Sequence, residues 1–493
     1  MTDRLAADRR TARRVVIVGG GVGGLATAIR LRAAGHSVQV IERNGVLGGK
    51  LATLQRDGFT FDVGPSLVTW PAVLDELFAV AGTSVEEQLS LVRLDPQFHY
   101  FWPDGSALTV HDDATRTAAA FDAVADGAGH GWRRFDERGR RIWSVAERTF
   151  FAGPMNNPAQ LAGRMRTPFD LTAIDPLRTL DAAARRCFDD PRLVQWAGRY
   201  ATYSGSSPYR APATLACIPH LESAFGCWYP LGGLDAIRRA LESTAQTMGV
   251  ELRVGTEVSQ VVAGPSRVTG VTLLGGEQVP ADIVIANVDA EHLYRDLLPN
   301  TVALRRVRRA PRSTSGFVVC VGVPHDERRG VGHHNVWFSS DERREFDALE
   351  AGRLADEPTV YACVSSLTDP SQAPDGFENW FLLVNTPPGA AVDRERYSSL
   401  IFEQLAARGV DLTGGARFVE TMTPHDIAER YRSPGGAIYG TSSNGARAAF
   451  LRPANRGARD GLYLVGGSSH PGGGLPLVMT SARIVADMVA ADA

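Results

Sequence analysis

Glycine spacing is the first chemistry this chain offers. Gly19, Gly21 and Gly24 follow directly on the apolar run Val15-Val16-Ile17-Val18, and Leu25 to Ala34 then has helical composition until Gly35. A short apolar run of that kind reads as a buried parallel strand. Gly19 permits the tight turn, Gly21 lets backbone approach a diphosphate, and Gly24 lets the helix pack closely on the strand. Val22 and Gly23 lie in the turn where the new helix points its free N–H groups at phosphate. Glu42 closes a second strand, Val38-Gln39-Val40-Ile41, at the spacing where a carboxylate meets the adenosine ribose hydroxyls. A glycine triplet alone would also suit a phosphate-free turn. Strand, glycines, helix, strand and acid in order argue for a dinucleotide, and the acid would repel the extra phosphate of NADP.

A second diglycine, Gly48-Gly49, comes one short loop beyond the acid, between Arg43 and Lys50. A simple NAD dehydrogenase has no need of it, whereas in two-dinucleotide-fold flavoproteins such a loop packs near the diphosphate and ribityl chain of FAD. Lys50 is the only lysine in the chain. It reads either as drift between two cations or, the preferred reading, as a cation facing the diphosphate, where it would offset phosphate charge. At the far end, Leu462-Tyr463-Leu464-Val465 runs into Gly466-Gly467, and Gly474-Leu475-Pro476 opens a helix. That loop would present backbone N–H groups to the pyrimidine edge of the isoalloxazine and stabilise negative charge on the reduced ring. The plainer alternative is a helix-capping loop without ligand.

These motifs, together with Gly58 to Ser66, Trp228 to Gly233, Ala286 to Ala290 and His333 to Phe338, run in an order that resembles the bacterial carotenoid (phytoene-type) desaturases. These belong to the flavin amine oxidase superfamily. The similarity spans nearly the full length, and Tyr200 to Pro208 looks most like desaturases of partly processed carotenoids. Lys50 stands where arginine is usual, and Ser468-Ser469 replaces the commoner Gly-Thr ahead of His470. The resemblance implies that Gly64, Pro65, Ser66 and Val258 join the FAD site. It also implies C=C bond formation in a long isoprenoid by hydride transfer to flavin N5, with quinone or oxygen as electron acceptor. A polyene would stabilise the allylic cation left behind, so a strong base is dispensable. The implied fold is α/β: a discontinuous, Rossmann-like FAD domain with an inserted α+β substrate domain and a helical segment.

At 493 residues the chain exceeds one ordinary core, and 44% hydrophobic with 22% charged residues suits a globular enzyme. A net charge of -3 gives no reason to expect nucleic acid. Five scattered cysteines without CxxC spacing read as reduced thiols of a cytoplasmic protein, and no metal ligand set is apparent. The start is polar and Arg-rich without an apolar stretch, so no signal peptide is read, and no run approaches the roughly 18 apolar residues of a membrane span. Residues 1–75, 223–310 and 425–493 are assigned to the FAD domain and 76–112 with 311–424 to the substrate domain. Residues 113–222 form a helical segment at a substrate entry or membrane contact. A hairpin is expected around Pro103-Asp104-Gly105, and a returning nucleotide-domain strand at Asp282 to Ala286.

No nucleophile triad or paired carboxylates can be picked out. His470 and Asp62 are the titratable groups nearest the cofactor motifs, and both read first as structural: His470 within its loop, Asp62 ordering the Phe61 to Pro65 turn. His333-His334 is read as two histidines facing opposite sides of a strand, with no third ligand nearby. Trp132, Phe135, Ile142, Val145 and Phe150 approximate one helical face with arginines on the others. Such a helix packs on a core or lies on an anionic membrane, on the inner face of the cell membrane here. Two further functions stay open. One is an oxidase or isomerase of another apolar or amine substrate; the other is a non-catalytic escort for prenylated proteins, which has less need of an intact FAD site.

Overall fold

In the computed structural model, which describes residues 12–155 and 157–492, the glycine motif grows out of the middle of a parallel sheet. Strand Arg14–Val18 is flanked by Ser37–Ile41 and by Ile283–Ala286. Glu251–Arg253 and Leu462–Leu464 add at the two edges, all parallel. The alternation of a β-strand decides what covers each face. Val15 and Ile17 join the core of helices Val22–Ala33 and Leu475–Ala491, while Val16 and Val18 join the core of an antiparallel meander, Val258–Ala263, Val268–Leu273 and Gln278–Pro280. The returning strand expected near 282–286 is therefore central, and it brings residue 287 to the end of the same sheet as Gly19.

A second, seven-stranded sheet runs Val419–Met422, Ser315–Pro324, Phe377–Thr386, Val360–Cys363, His334–Trp337, Phe98–Phe101 and Ala107–Val110. The expected hairpin is present, with Phe98 opposite Val110. It joins the rest through a parallel pairing of Asn335 with His99, a junction more than two hundred residues long-range that no local pattern announces.

Most of the polypeptide between residues 114 and 225 is helical. The 22-residue helix Ala128–Thr149 buries Trp132, Phe135 and Ile142 almost completely. Its apolar face packs inward, so the membrane-lying alternative for this helix does not hold. Exposed apolar side chains lie instead in the next stretch, at Phe169, Leu171 and Leu177, the last 88% exposed. Among the described residues no helix is long and apolar enough to cross a membrane. All five cysteines are buried free thiols.

Candidate cofactor and substrate site

Parallel strands that end together deliver their following loops to one place, the crevice where α/β sheets take ligands. Val18 and Ala286 are register partners, so Gly19 and Asn287 emerge side by side. Asn287 Nδ2 donates to the Gly19 carbonyl at 3.0 Å. Gly24 is needed because a Cβ there would meet the Gly19 oxygen at 2.3 Å. Gly466 has φ +106°, and a Cβ would meet Asn287 Oδ1 at 2.7 Å. One asparagine amide thus sits between the first and the last glycine loops.

A long cavity starts in this crevice. Gly19, Gly21, Val22 and Gly23 line it, and Gly24 lies just behind them. Gly48, Gly49 and Lys50 form a second wall, with Gly21 bridged to Gly48. Gly64, Pro65 and Ser66 follow, and Val258, Glu42 and Arg43 line it as well. Gly466, Gly467, Gly474, Leu475 and Pro476 complete the opposite side. The structure therefore gathers every residue expected at the cofactor around one space, except Gly24, which shapes it from beneath.

The donor set has a clear polarity. Helices Val22–Ala33 and Leu475–Ala491 both begin at the cavity, after Gly21 and Gly474, and neither has a side-chain cap or an acidic residue in its first turn. Two uncapped helix N-termini aimed at one cavity favour anionic groups. At the adenosine end, Glu42 Oε2 accepts from Gly20 N and Oε1 accepts from Asn44 N and Nδ2, each at 2.8 Å. A carboxylate has about four acceptor sites, so one remains for a ribose hydroxyl. This set fits FAD: amides for the diphosphate, a carboxylate for the ribose, and a second helix N-terminus for the reduced ring.

Two cations of the cavity wall reach backbone carbonyls far along the chain. Lys50 Nζ donates to the carbonyls of Ala437 (3.1 Å) and Ile438 (2.6 Å). Burial pushes its pKa down to about 8, with Asp289 opposing. Its ammonium ties the second glycine wall to the 437–438 segment. Arg43 spends its guanidinium on the carbonyls of Glu429 (3.0 Å) and Arg430 (2.8 Å), at the end of helix Pro424–Tyr431.

Neither weak catalytic candidate lines the cavity. Asp62 accepts from Tyr229 Oη and Leu234 N, both at 2.9 Å, so it orders the 229–234 turn rather than only its own. Burial raises its pKa to about 6. His470 Nε2 faces the carbonyls of Phe150 (3.0 Å) and Gly153 (3.2 Å), and burial pushes its pKa down to about 4. It fastens the C-terminal loop to the end of the long helix.

His333 and His334 do not face apart. His333 precedes the strand, so strand alternation does not yet apply, and the two rings lie 4.4 Å apart between centroids. Cys363, the register partner of His334, brings its sulfur within 4.8 Å of imidazole nitrogens, the third neighbour the sequence did not show. His334 Nδ1 pairs with Tyr361 Oη at 2.8 Å, and His333 Nδ1 with Thr368 Oγ1 at 2.7 Å.

Beyond the cofactor residues the same cavity is lined by Val336, Phe338, Phe381, Leu383 and Met422, on or beside strands of the seven-stranded sheet, and this part is called the channel below. Arg199, Thr202, Tyr203 and Tyr361 stand at its junction with the cofactor end. Sequence reasoning missed these and Asn287 as site residues. Asn287 was signalled by its place after a returning apolar strand, and Arg199 by a charge inside Trp196-Ala197-Gly198-Arg199-Tyr200-Ala201.

Comparison with known proteins agrees with this geometry. The model of the family described as flavin containing amine oxidoreductase matches residues 22–490. A 4,4'-diapolycopene oxygenase of Methylomonas sp. is 35% identical, with 97% of this chain and 98% of that one covered. A 1-hydroxycarotenoid 3,4-desaturase of Flavobacterium sp. (strain P99-3) is 33% identical, over 97% of this chain and 99% of its own. A hydroxyneurosporene desaturase of Cereibacter sphaeroides is 35% identical, over 98% and 99%. Among solved structures, a putrescine oxidase shares the fold at TM-score 0.67 with 17% identity, covering 97% of this chain and 99% of that one. An oxidoreductase from Methanosarcina mazei does so at 0.66 with 18%, covering 96% and 100%. With its glycine loops, carboxylate and paired helix N-termini around one cavity, this chain belongs to the flavin containing amine oxidoreductase family.

Proposed function

We propose that this enzyme is an FAD-dependent desaturase of a carotenoid or related long isoprenoid. The observation that carries the reading is the set of large apolar side chains, Val336, Phe338, Phe381 and Leu383, that line the same cavity as the glycine loops. A polyene has almost nothing but apolar surface to bury, at about 25 cal/mol per Å². Relatives of matching length whose names place them on carotenoids support the same substrate class. The flavin supplies the hydride-accepting chemistry, and the protein supplies position, electrostatics and dryness. Gly474 and the turn after it would stabilise the anionic reduced ring, Glu42 would orient the adenosine, and the channel would hold the chain against the cofactor.

The escort reading is disfavoured by the complete cofactor cradle. Quinone or oxygen is proposed as the electron acceptor. The substrate is proposed to come from a membrane, met by the exposed Phe169, Leu171 and Leu177 beside the exposed Arg166.

The test is to supply the FAD-loaded enzyme with acyclic carotenoids of graded saturation and a quinone, and to identify the products. The expected result is added conjugation with flavin bleaching under anaerobic conditions. Flavin that stays oxidised with every polyene but bleaches with amines would overturn the proposal.

A further inference from the structure

His333, His334 and Cys363 form a buried cluster that the flavin chemistry does not use, and none of the three lines the cavity. Strand pairing builds it. Cys363 ends strand Val360–Cys363 directly opposite His334, which opens strand His334–Trp337, and His333 is the residue before that strand. One nitrogen of each imidazole and the Cys363 sulfur all lie within 4.8 Å of one another. The three residues are 5%, 0% and 4% exposed. Among the described residues no further His, Cys, Asp or Glu joins the group.

Each ring is held at Nδ1, His333 by Thr368 Oγ1 at 2.7 Å and His334 by Tyr361 Oη at 2.8 Å. Each Nε2 is buried and, among the described residues, has no hydrogen-bond partner. Buried polar atoms are nearly always paired, so two unpaired nitrogens on adjacent rings need a partner. A hydroxyl that accepts from Nδ1–H leaves the imidazole lone pair at Nε2. A metal-binding histidine is oriented in the same manner, by a hydrogen bond at its other nitrogen. Burial also pushes both pKa values down, to about 3 for His333, so the rings are neutral and able to coordinate. The shell around them is aromatic. Tyr229 lies 4.6 Å from His333 and Phe98 4.8 Å from His334, between ring centroids. Tyr229 Oη is already spent on Asp62.

From this cluster we infer that the chain binds one soft metal ion, Cu(I), on His333, His334 and Cys363. Donor type and donor number both point there. A thiolate with imidazoles suits Cu(I) or Zn(II). Structural zinc is almost always four-coordinate, whereas three donors meet here, a number that Cu(I) accepts. Planar bonds of about 2.0–2.3 Å put such donors about 3.5–3.8 Å apart. Side-chain shifts of about 1 Å therefore close the site from within 4.8 Å. On binding, the Cys363 S–H bond breaks and a sulfur–metal bond forms; the proton leaves to solvent and no electron is transferred. The ion acts as a clasp, tying the residue before strand His334–Trp337 to the neighbouring strand. The clasp sits one step behind the cavity wall, because Tyr361, which holds His334, also bonds Ser66 Oγ at 2.5 Å, and both line the cavity.

The experiment uses the full-length, FAD-loaded protein. Cells are grown with added copper or with added zinc, so that the buried site can load as the chain folds, and the protein is purified without oxygen. Metal content is measured by plasma mass spectrometry, and the neighbours of the metal by X-ray absorption. The expected result is about one copper per chain on two nitrogens and one sulfur, with zinc at less than a tenth of that. Cys363→Ser and, separately, His333→Gln should each lower copper at least tenfold while flavin content stays at the wild-type level. Copper should raise the thermal midpoint of the wild type and leave that of Cys363→Ser unchanged. If the variants do not fold, the wild-type absorption spectrum decides, since a copper site without sulfur, or with more than one, overturns the inference. Zinc held in preference to copper, or copper retained by both variants, overturns it too. Protein that holds neither metal overturns it in favour of buried water on the two imidazoles.

Discussion

Asn287 joins the two ends of the chain through one amide. Its Nδ2 donates to the Gly19 carbonyl at 3.0 Å across 268 residues of sequence, and its Oδ1 faces the bare Cα of Gly466. The carbonyl it holds belongs to the turn that frees the first-helix amides, and Gly466 opens the loop that leads to the second uncapped helix. Each anion-binding terminus therefore depends on the other loop for its position.

Replacing Asn287 should expose that dependence. Asn287→Ala is expected to cost about 1–3 kcal/mol of stability through the lost buried hydrogen bond and to weaken FAD binding by at least tenfold. Gly466→Ala is expected to lose FAD more completely, since a Cβ would collide with Asn287 Oδ1 at a φ of +106°. Titration of each apoprotein with FAD, followed by flavin fluorescence, measures both. An Asn287→Ala protein with wild-type FAD affinity would remove the amide from this role.

Asp62 gives a pH signature. Burial raises its folded pKa to about 6, from an ordinary 3.8. Between those values the folded chain holds more protons than the unfolded one, so this group's contribution is lost as pH rises from about 4 to 6. The cost above pH 6 is about 3 kcal/mol. His470 works the other way, because its folded pKa is pushed down to about 4 and stability is lost as pH falls through that range. Comparing wild type with Asp62→Asn cancels the histidine. The variant's relative stability should rise by about 3 kcal/mol between pH 4 and 7, measured by urea unfolding at each pH. Because Asp62 does not line the cavity, turnover should persist; a complete loss of it with intact flavin would return Asp62 to the chemistry.

The cofactor half of this site was legible because its chemistry is backbone chemistry. Gly19, Gly21, Gly24, Gly48, Gly49, Gly466 and Gly474 announce themselves by having no side chain, and Glu42 by following a strand at fixed spacing. The substrate half depends on which distant side chains meet. Arg199 meets Phe98 and Tyr361, and Tyr203 meets Glu222; these partners arrive from the hairpin, the large sheet and another helix. Nothing local in the sequence brings them together. The same blindness misplaced His333, whose ring was assigned to a strand face one residue before the strand begins. Lys50 shows the opposite limit: a lone lysine beside glycines suggests phosphate, while the carbonyls it reaches lie 387 and 388 residues away.

Membrane contact should map to the 169–177 stretch rather than to the long helix. Phe169 is 78% exposed and Leu177 88%, whereas Trp132 and Phe135 are buried. Full insertion of a large apolar side chain is worth about 1.5–3 kcal/mol. The triple variant Phe169→Ser/Leu171→Ser/Leu177→Ser is therefore expected to reduce co-sedimentation with anionic liposomes by at least tenfold. Folding and flavin content should be unaffected, because these side chains make no core. Wild-type protein that fails to bind anionic liposomes at low salt would count against membrane delivery altogether.

Lys50 tests whether an isolated cation in a glycine wall holds phosphate or holds the wall. Its Nζ already donates to the Ala437 and Ile438 carbonyls, and those residues lead into Tyr439 and Gly440 on the cavity surface. Lys50→Met leaves both carbonyls without that donor, at about 1–3 kcal/mol of stability. If the tie is its function, apoprotein and FAD-loaded protein lose the same amount and FAD affinity stays within threefold of wild type. A lysine that pairs with the diphosphate would instead show its loss in the loaded form, as a drop in FAD affinity beyond tenfold and a weaker salt dependence. Thermal melts with and without FAD at two salt concentrations separate these outcomes. The pH profile adds a second reading. The folded pKa of Lys50 is about 8 against an ordinary 10.5, so the unfolded chain binds more protons between those values. Wild-type apoprotein should therefore gain stability over Lys50→Met as pH rises through that window.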